Sequence, residues 1–396
     1  MPSNLVVLFL SLFLGIQPIT TDLYLPALPA ITQGFGATMG QAQLTLTALL
    51  LAFGISQLVW GPLSDRFGRR PILIVGLAAY AAASVGSMFA SSMDLLIAWR
   101  VLQGVAMGAV VVCARAMTRD LYAPADGARV MSKGLSGLGF IACLSPLLGG
   151  LLTDWLGWRA AMAALSAFSG AVLILAYFKF QETINTRNPL SLQPATLLRT
   201  WGTIVRHPTF WAYAMLATTS YGGLFTFLAS SSFVFIKVLG LSKTQYGLVM
   251  GMMSMSYIVG TFMCRRLLVR FGVLRTVWIG GWLTLVSGTL LAGLAMAGFA
   301  SVWTILPPFC VFMLGHGVHQ SFGQSGSAGP FPQAAGAASA LVGFMSMMCA
   351  FAMGGWLGVH MDGTVKPLAY GVAFWAVLIV VTAWILVQRY GQQPKH

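Results

Sequence analysis

The stretch Ile19-Thr20-Thr21-Asp22-Leu23-Tyr24-Leu25-Pro26-Ala27-Leu28-Pro29 closes an apolar run that begins at Leu5, and no charged side chain precedes Asp22. A helix needs about 20 residues to cross a bilayer core of ~30 Å, so the run reads as a first membrane span. Asp22 then lies inside the membrane, roughly two thirds of the way along that span. A carboxylate at such depth costs about 2.5–3.5 kcal/mol on insertion scales and is kept where a protein uses it. Two readings fit. Asp22 faces a polar cavity as a proton or cation site, or it lies near the far interface, where Pro26 and Pro29 end the helix.

The composition extends this reading to the whole chain. Of 396 residues, 58% are hydrophobic and 8% charged, which no soluble domain accommodates, so lipid is the solvent. The net charge of +14 does not point to nucleic acid, because the basic residues are scattered among apolar segments. Cys113, Cys143, Cys264, Cys310 and Cys349 all fall in apolar segments without metal-ligand spacing, so neither disulfides nor a metal site is expected. The N-terminus lacks a basic region and a small-residue cleavage site, and reads as a retained first helix.

Breaks in hydropathy give twelve expected spans. The first six lie near 5–30, 42–61, 72–90, 95–118, 127–153 and 159–181. The other six lie near 210–237, 245–265, 275–298, 302–325, 334–358 and 367–389. The expected architecture is all-α and polytopic, with one six-helix bundle over 1–181 and another over 209–396. The polar stretch 182–208, with Glu182, Arg187, Pro189, Pro194, Arg199 and Arg206, reads as the linker between them. Of 22 Lys and Arg, Arg100 and Arg115 sit within spans. Sixteen more fall on the side of the N-terminus, from Arg66 to Lys395. Only Arg159, Lys237, Lys243 and Lys366 fall opposite, so both termini are expected in the cytoplasm. Gly104-xxx-Gly108 and Gly149-Gly150 would let helix backbones approach closely. Two bundles joined by a long inner loop suggest rocking about a midplane site.

The loop Gly61-Pro62-Leu63-Ser64-Asp65-Arg66-Phe67-Gly68-Arg69-Arg70-Pro71 joins the second and third spans. It resembles the signature loop of the major facilitator superfamily. Asp65 can pair there with Arg66 or with another inner arginine such as Arg119, in contacts that break and reform as the bundles move. In the fourth span, Leu96-xxx-Arg100-xx-Gln103-Gly104 resembles the family's second motif. Arg100 either snorkels outward or points into the cavity, where a cation would influence the protonation of Asp22. Leu144-Ser145-Pro146-Leu147-Leu148-Gly149-Gly150 is similar to the family's antiporter motif, with Ile141 and Ser145 where glycines are usual.

Within that superfamily the chain resembles the Bcr/CflA group of drug exporters. The resemblance rests on Asp22 to Pro29 followed by Gln43-Leu44-Thr45-Leu46-Thr47. Arg119-Asp120-Leu121-Tyr122, Gln181-Glu182-Thr183 and Phe331-Pro332-Gln333-Ala334-Ala335 add to it. It implies a two-bundle fold and the exchange of protons for small drug-like molecules at the bacterial inner membrane, by a monomer that needs no cofactor. Asp22 and Arg100 are the expected proton-coupling pair. Gly61, Asp65, Arg66, Gly68, Arg69, Arg70, Arg119, Pro146, Gly149 and Gly150 are the expected conformational switch.

Candidate cavity residues in the first half are Gln17, Thr21, Tyr24, Thr45, Thr47, Gln57 and Gln103. The second half offers Tyr221, Phe225, Tyr257, His316, His319 and Gln320. Aromatics with sparse polar anchors suit a promiscuous drug pocket. The only clearly intramembrane acid, beside Arg100 and Arg115, favours neutral or zwitterionic cargo. His316 and His319 lie one helical turn apart and are either cavity-lining or hydrogen-bonded to neighbouring helices. A proton-coupled importer and a non-transporting membrane sensor remain open as alternatives. No Ser-His-Asp, Walker or metal-ligand pattern suggests an enzyme.

Overall fold

The computed structural model describes residues 1–122, 124–184, 193–331 and 334–391, and these contain helices and no strand. Arg187, Pro189, Pro332, Gln333 and Lys395 lie outside the described residues. The chain forms two compact units, one of Met1–Arg199 with Lys243–Gly247, the other of Thr200–Ser242 with Leu248–His396.

The first unit opens with α1 (Ser3–Asp22), a 3-10 turn at Leu25–Ala27 and α2 (Leu28–Gly34). This break follows from the prolines. Pro26 has no N–H for the carbonyl of Asp22, and Pro29 has none for that of Leu25. Leu23, Tyr24, Ala27 and Leu28 keep right-handed helical dihedrals through the break, and Ser3–Gly34 as a whole is long and apolar enough to span a membrane. Next come α3 (Met39–Phe67), α4 (Arg69–Met88), α5 (Met93–Leu121), α6 (Pro124–Leu156) and α7 (Trp158–Lys179). Polar side chains cap where the apolar runs start. Thr38 and Gln41 form a reciprocal capping box at α3, and Ser92 accepts the Leu95 N–H at α5.

Glycines let these helices cross closely. A Cβ on Gly104 of α5 would strike the Leu49 carbonyl of α3, and one on Gly108 would strike Ser56. At the same crossing Trp60 Nε1 donates to the Val105 carbonyl at 2.8 Å. On α6, Gly149 lies against the Leu23 carbonyl beside the break in α1. Ile141, where a glycine is usual, fits against Gly15 of α1, so the small residue stands on the opposite helix.

The expected linker contains a helix, α8 (Pro194–Val205). Its Ile204 is buried with Phe210, Ala214, Ala217, Ala338 and Val342, so apolar packing orders part of a stretch that reads as polar.

The second unit holds α9 (Pro208–Ser232), most of α10 (Lys243–Met296), α11 (Val302–Ala328), α12 (Ala335–His360), α13 (Lys366–Val381) and α14 (Val387–Tyr390). Eleven helical runs among the described residues can cross a membrane, against twelve expected spans. The difference lies in α10. Its 54 residues would reach about 80 Å as one rod, and the helix breaks at Gly272 with φ 72° and ψ 179°. The spans expected at 245–265 and 275–298 are the two legs that meet there. Only glycine adopts that backbone geometry readily, which is why no loop is needed between them.

Candidate functional site

Asp22 is the last residue of α1 and half-buried at the break that Pro26 imposes. Thr21 Oγ1 donates to its carboxylate at 2.8 Å, and among the described residues it has no ion-pair partner. Gln17 and Thr21, also half-buried, share its stretch of α1, and Thr21 bonds the Gln17 carbonyl at 3.1 Å.

Arg100 does not pair with Asp22. It is fully buried and ties α5 to α1, to α3 and to Tyr24 at the break after α1. Its Nη2 donates to the Thr20 carbonyl at 3.2 Å, its Nε to the Thr45 carbonyl at 3.4 Å and its Nη1 to Gln103 Oε1 at 3.0 Å. The Tyr24 ring centroid lies 4.2 Å from the guanidinium carbon, a cation–π contact. Tyr24 also donates to Thr45 Oγ1 at 2.8 Å. Gln103 Nε2 donates to Ser84 Oγ at 3.0 Å, and Thr20 Oγ1 bonds the Tyr80 hydroxyl. The guanidinium thus meets carbonyls, an amide and an aromatic face, and no carboxylate.

Sequence reasoning found Tyr24, Thr45, Arg100 and Gln103 but missed Thr20, Tyr80 and Ser84, which complete the network. Thr47 and Gln57 bond only within their own helix, to the Gln43 and Phe53 carbonyls.

At the end of α3 the signature loop makes a second network. Gly68 has φ 103° and lets α4 start directly after α3. Arg69 folds inward, donating to Asp65 at 2.7 Å, Ser64 Oγ at 2.6 Å and Asp120 at 3.0 Å. The Glu182 carboxylate accepts the backbone N–H groups of Arg69 and Arg70 at 2.9 and 3.2 Å, capping α4 where its dipole favours an anion. Arg70 reaches the Tyr177 carbonyl at 3.0 Å. Of the inner arginines open to it, Asp65 therefore pairs with Arg69 and not with Arg66 or Arg119, both of which are exposed. The reason is periodicity, since Asp65 and Arg69 are four residues apart and reach each other across the turn. Asp120 and Glu182 were absent from the expected switch. The echoes Arg119-Asp120 and Glu182-Thr183 were the signal for them. Gly61, Pro146, Gly149 and Gly150 sit within α3 and α6, and only Gly149 and Gly150 of the four are tightly packed glycines.

In the second unit His316 Nδ1 lies 2.8 Å from Ser220 Oγ of α9, with its ring 5.5 Å from that of Tyr257. His319 is fully buried on the next turn, and neither ring nitrogen has a hydrogen-bond partner. The Val277 backbone lies beside the ring, which packs over Gly280. The side-chain oxygen of Gln320 is also buried without a partner. Phe225 is buried, while Tyr221 and Tyr257 are half-buried.

A family model described as Major Facilitator Superfamily matches residues 8–354. Multidrug resistance protein D of Escherichia coli strain K12 is 31% identical over 341 residues, which are 85% of this chain and 84% of that protein. The chloramphenicol resistance protein of Pseudomonas aeruginosa is 30% identical over 343 residues, 85% of this chain and 79% of that one. A bicyclomycin resistance protein homolog of Haemophilus influenzae is 26% identical over 385 residues, 97% of this chain and 96% of that one. The fold is also that of a bacterial homolog of the human lysosomal transporter Spinster, at a TM-score of 0.75, 14% identity and 99% coverage of both chains. This chain is a multi-pass membrane protein of the major facilitator superfamily, whose members are transporters, not enzymes.

Proposed function

We propose that the chain exports small neutral or zwitterionic antimicrobials in exchange for protons, as a monomer in the bacterial inner membrane with both termini in the cytoplasm. Bundles at 1–181 and 209–396, joined by 182–208, alternate access to a midplane cavity. The observation that carries the reading is Asp22, a half-buried carboxyl at a helix break that accepts from the Thr21 hydroxyl and forms no ion pair among the described residues. An acid already locked in an ion pair would have to break that pair to exchange a proton, whereas Asp22 is free to do so. The names of the relatives, resistance proteins for multiple drugs, chloramphenicol and bicyclomycin, favour drugs as cargo and export as direction.

A proton from outside neutralises Asp22, and on the inside drug binding and proton release exclude one another. Each charge that crosses 100 mV contributes about 2.3 kcal/mol to the exchange. Arg100 acts through the backbone of Thr20 and the ring of Tyr24, which bracket Asp22 in sequence, instead of through an ion pair.

The test joins two measurements. A pump-deficient host expressing the chain is challenged with a compound panel, and resistance to at least one small uncharged drug is expected. Asp22→Asn, which mimics the protonated form and cannot titrate, should insert normally yet abolish drug-gradient-driven proton movement in proteoliposomes. Wild-type proton movement in that variant refutes the assignment.

A further inference from the structure

The acids of this chain are unevenly placed. No Asp or Glu occurs between Glu182 and Asp362, although that interval holds Arg265, Arg266, Arg270 and Arg275. Asp362 precedes α13, and Arg389 follows it at the other end. About 25 helical residues, Lys366–Tyr390, separate them, a full membrane thickness. Among the described residues of the second unit, the end that carries Arg275 and Arg389 therefore has no Asp or Glu, and Arg275 forms no ion pair.

At that end a cavity of about 410 Å³ opens, lined by Phe271, Arg275, Trp278, Ile279 and Gln388. It lies just beyond the Gly272 break, in the first two turns of the second leg of α10. Its wall continues as a tryptophan cluster. The rings of Trp278 and Trp384 stack at 5.7 Å, and those of Trp282 and Trp384 lie 4.9 Å apart. Trp384 Nε1 donates to the Trp278 carbonyl at 3.1 Å, and Gln388 Nε2 to the Leu274 carbonyl at 3.0 Å, so the wall is fixed. Gly281 leaves the space that the Trp384 ring occupies. Trp278 and Trp282 are nevertheless each 44% exposed, and Arg275 is exposed at the rim.

We propose that this cleft binds an anionic phospholipid, with its phosphate on Arg275 and an acyl chain along Trp278, Trp282 and Trp384. Three features select this occupant. Tryptophans gather at the membrane–water boundary, where an apolar face and a polar edge are both needed. A basic pocket between membrane helices is the arrangement that recognises lipid phosphate. Arg275 forms no ion pair among the described residues and is exposed at the rim, so its charge is open to an anion, which at the membrane boundary is a lipid headgroup. The cavity holds a glycerophosphate and the first methylenes, while the rest of the chain follows the open tryptophan wall. The site is independent of Asp22 and of the export reading.

The full chain, delipidated in detergent, is titrated with phosphatidylglycerol, phosphatidylcholine and inorganic phosphate, with retained lipid counted by native mass spectrometry. Phosphatidylglycerol is expected to bind about fivefold more tightly than phosphatidylcholine, as one basic contact supplies near a membrane surface. Arg275→Gln should remove that preference and Arg275→Lys should keep most of it. Arg266→Gln, outside the cleft, should leave it intact. Brominated phosphatidylglycerol should quench less fluorescence once Trp278 and Trp384 are both replaced by Phe. Equal retention of the two lipids, an unchanged preference in Arg275→Gln, or displacement of the lipid by millimolar inorganic phosphate overturns the proposal.

Discussion

Removing Arg69 should unfold the signature-loop network, and the structure sets how much each contact contributes. The Arg69 side chain is 5% exposed, against 42% for Asp65 and 16% for Asp120. The Asp65 pair is close to a surface salt bridge, so its loss costs about 0.2–1 kcal/mol despite the 2.7 Å separation. The Asp120 pair is different. Without Arg69, a mostly buried carboxylate keeps only the Thr183 hydroxyl, at 3.0 Å. Breaking a buried pair from one side costs about 3–5 kcal/mol, and the remaining hydroxyl places this case at the low end. Arg69→Ala should therefore destabilise the chain by about 3–4 kcal/mol, and Asp120→Asn by about 1–2 kcal/mol, because Arg69 then retains Asp65. Asp65→Asn should stay within about 1 kcal/mol. Reversible unfolding of the purified chain in mixed micelles, followed by tryptophan fluorescence, ranks the three. If Asp65→Asn proves as costly as Arg69→Ala, or Arg69→Ala stays within 1 kcal/mol of wild type, the burial argument fails. With the expected order, loss of transport in Asp65→Asn with retained drug binding reports on bundle movement and not on folding.

Two further outcomes follow from packing. Gly104→Ala should lower stability by about 1–3 kcal/mol, since its Cβ meets the Leu49 carbonyl, whereas Gly61→Ala, with nothing near, should be neutral or gain up to about 1 kcal/mol of helix propensity; thermal midpoints in detergent distinguish them. His316→Ala should cost about 1–3 kcal/mol by stranding Ser220, while His319→Leu should fold at least as well as wild type, because neither nitrogen loses a partner. Resistance measured at equal protein level then decides the role of His319: a drug-specific change supports contact with cargo, and a fall common to all drugs in step with yield rejects it.

The spans were legible because hydropathy counts residues along the chain. What it does not record is the direction in which each helix faces. Arg100 shows the gap. Its depth followed from position, but its partners come from α1, α3 and its own helix, brought together by rotations that no local pattern encodes. The partners of Arg69 were hidden for another reason. A run of three arginines near Asp65 reads as interchangeable charge, and only the start of α4 at Gly68 turns one of them inward. The break beside Asp22 was legible from Pro26 and Pro29, whereas the turning of Arg100 toward Thr20 and Tyr24, and away from Asp22, was not.

The buried guanidinium of Arg100, held by neutral groups, leaves the interior of the first unit at positive electrostatic potential. At an effective dielectric constant of about 20, a monovalent cation some 10 Å away meets a repulsion of ~1.7 kcal/mol, and an anion gains as much. That amounts to a discrimination of more than a hundredfold between cargoes of opposite charge. While Asp22 carries a proton the field is unopposed. Once Asp22 is ionised, its negative charge opposes that of Arg100, whose contacts Thr20 and Tyr24 lie two residues to either side of it, and the interior becomes a dipole. Cationic molecules would then be tolerated in one protonation state and repelled in the other, so charge selection and proton exchange would be two readings of a single electrostatic balance.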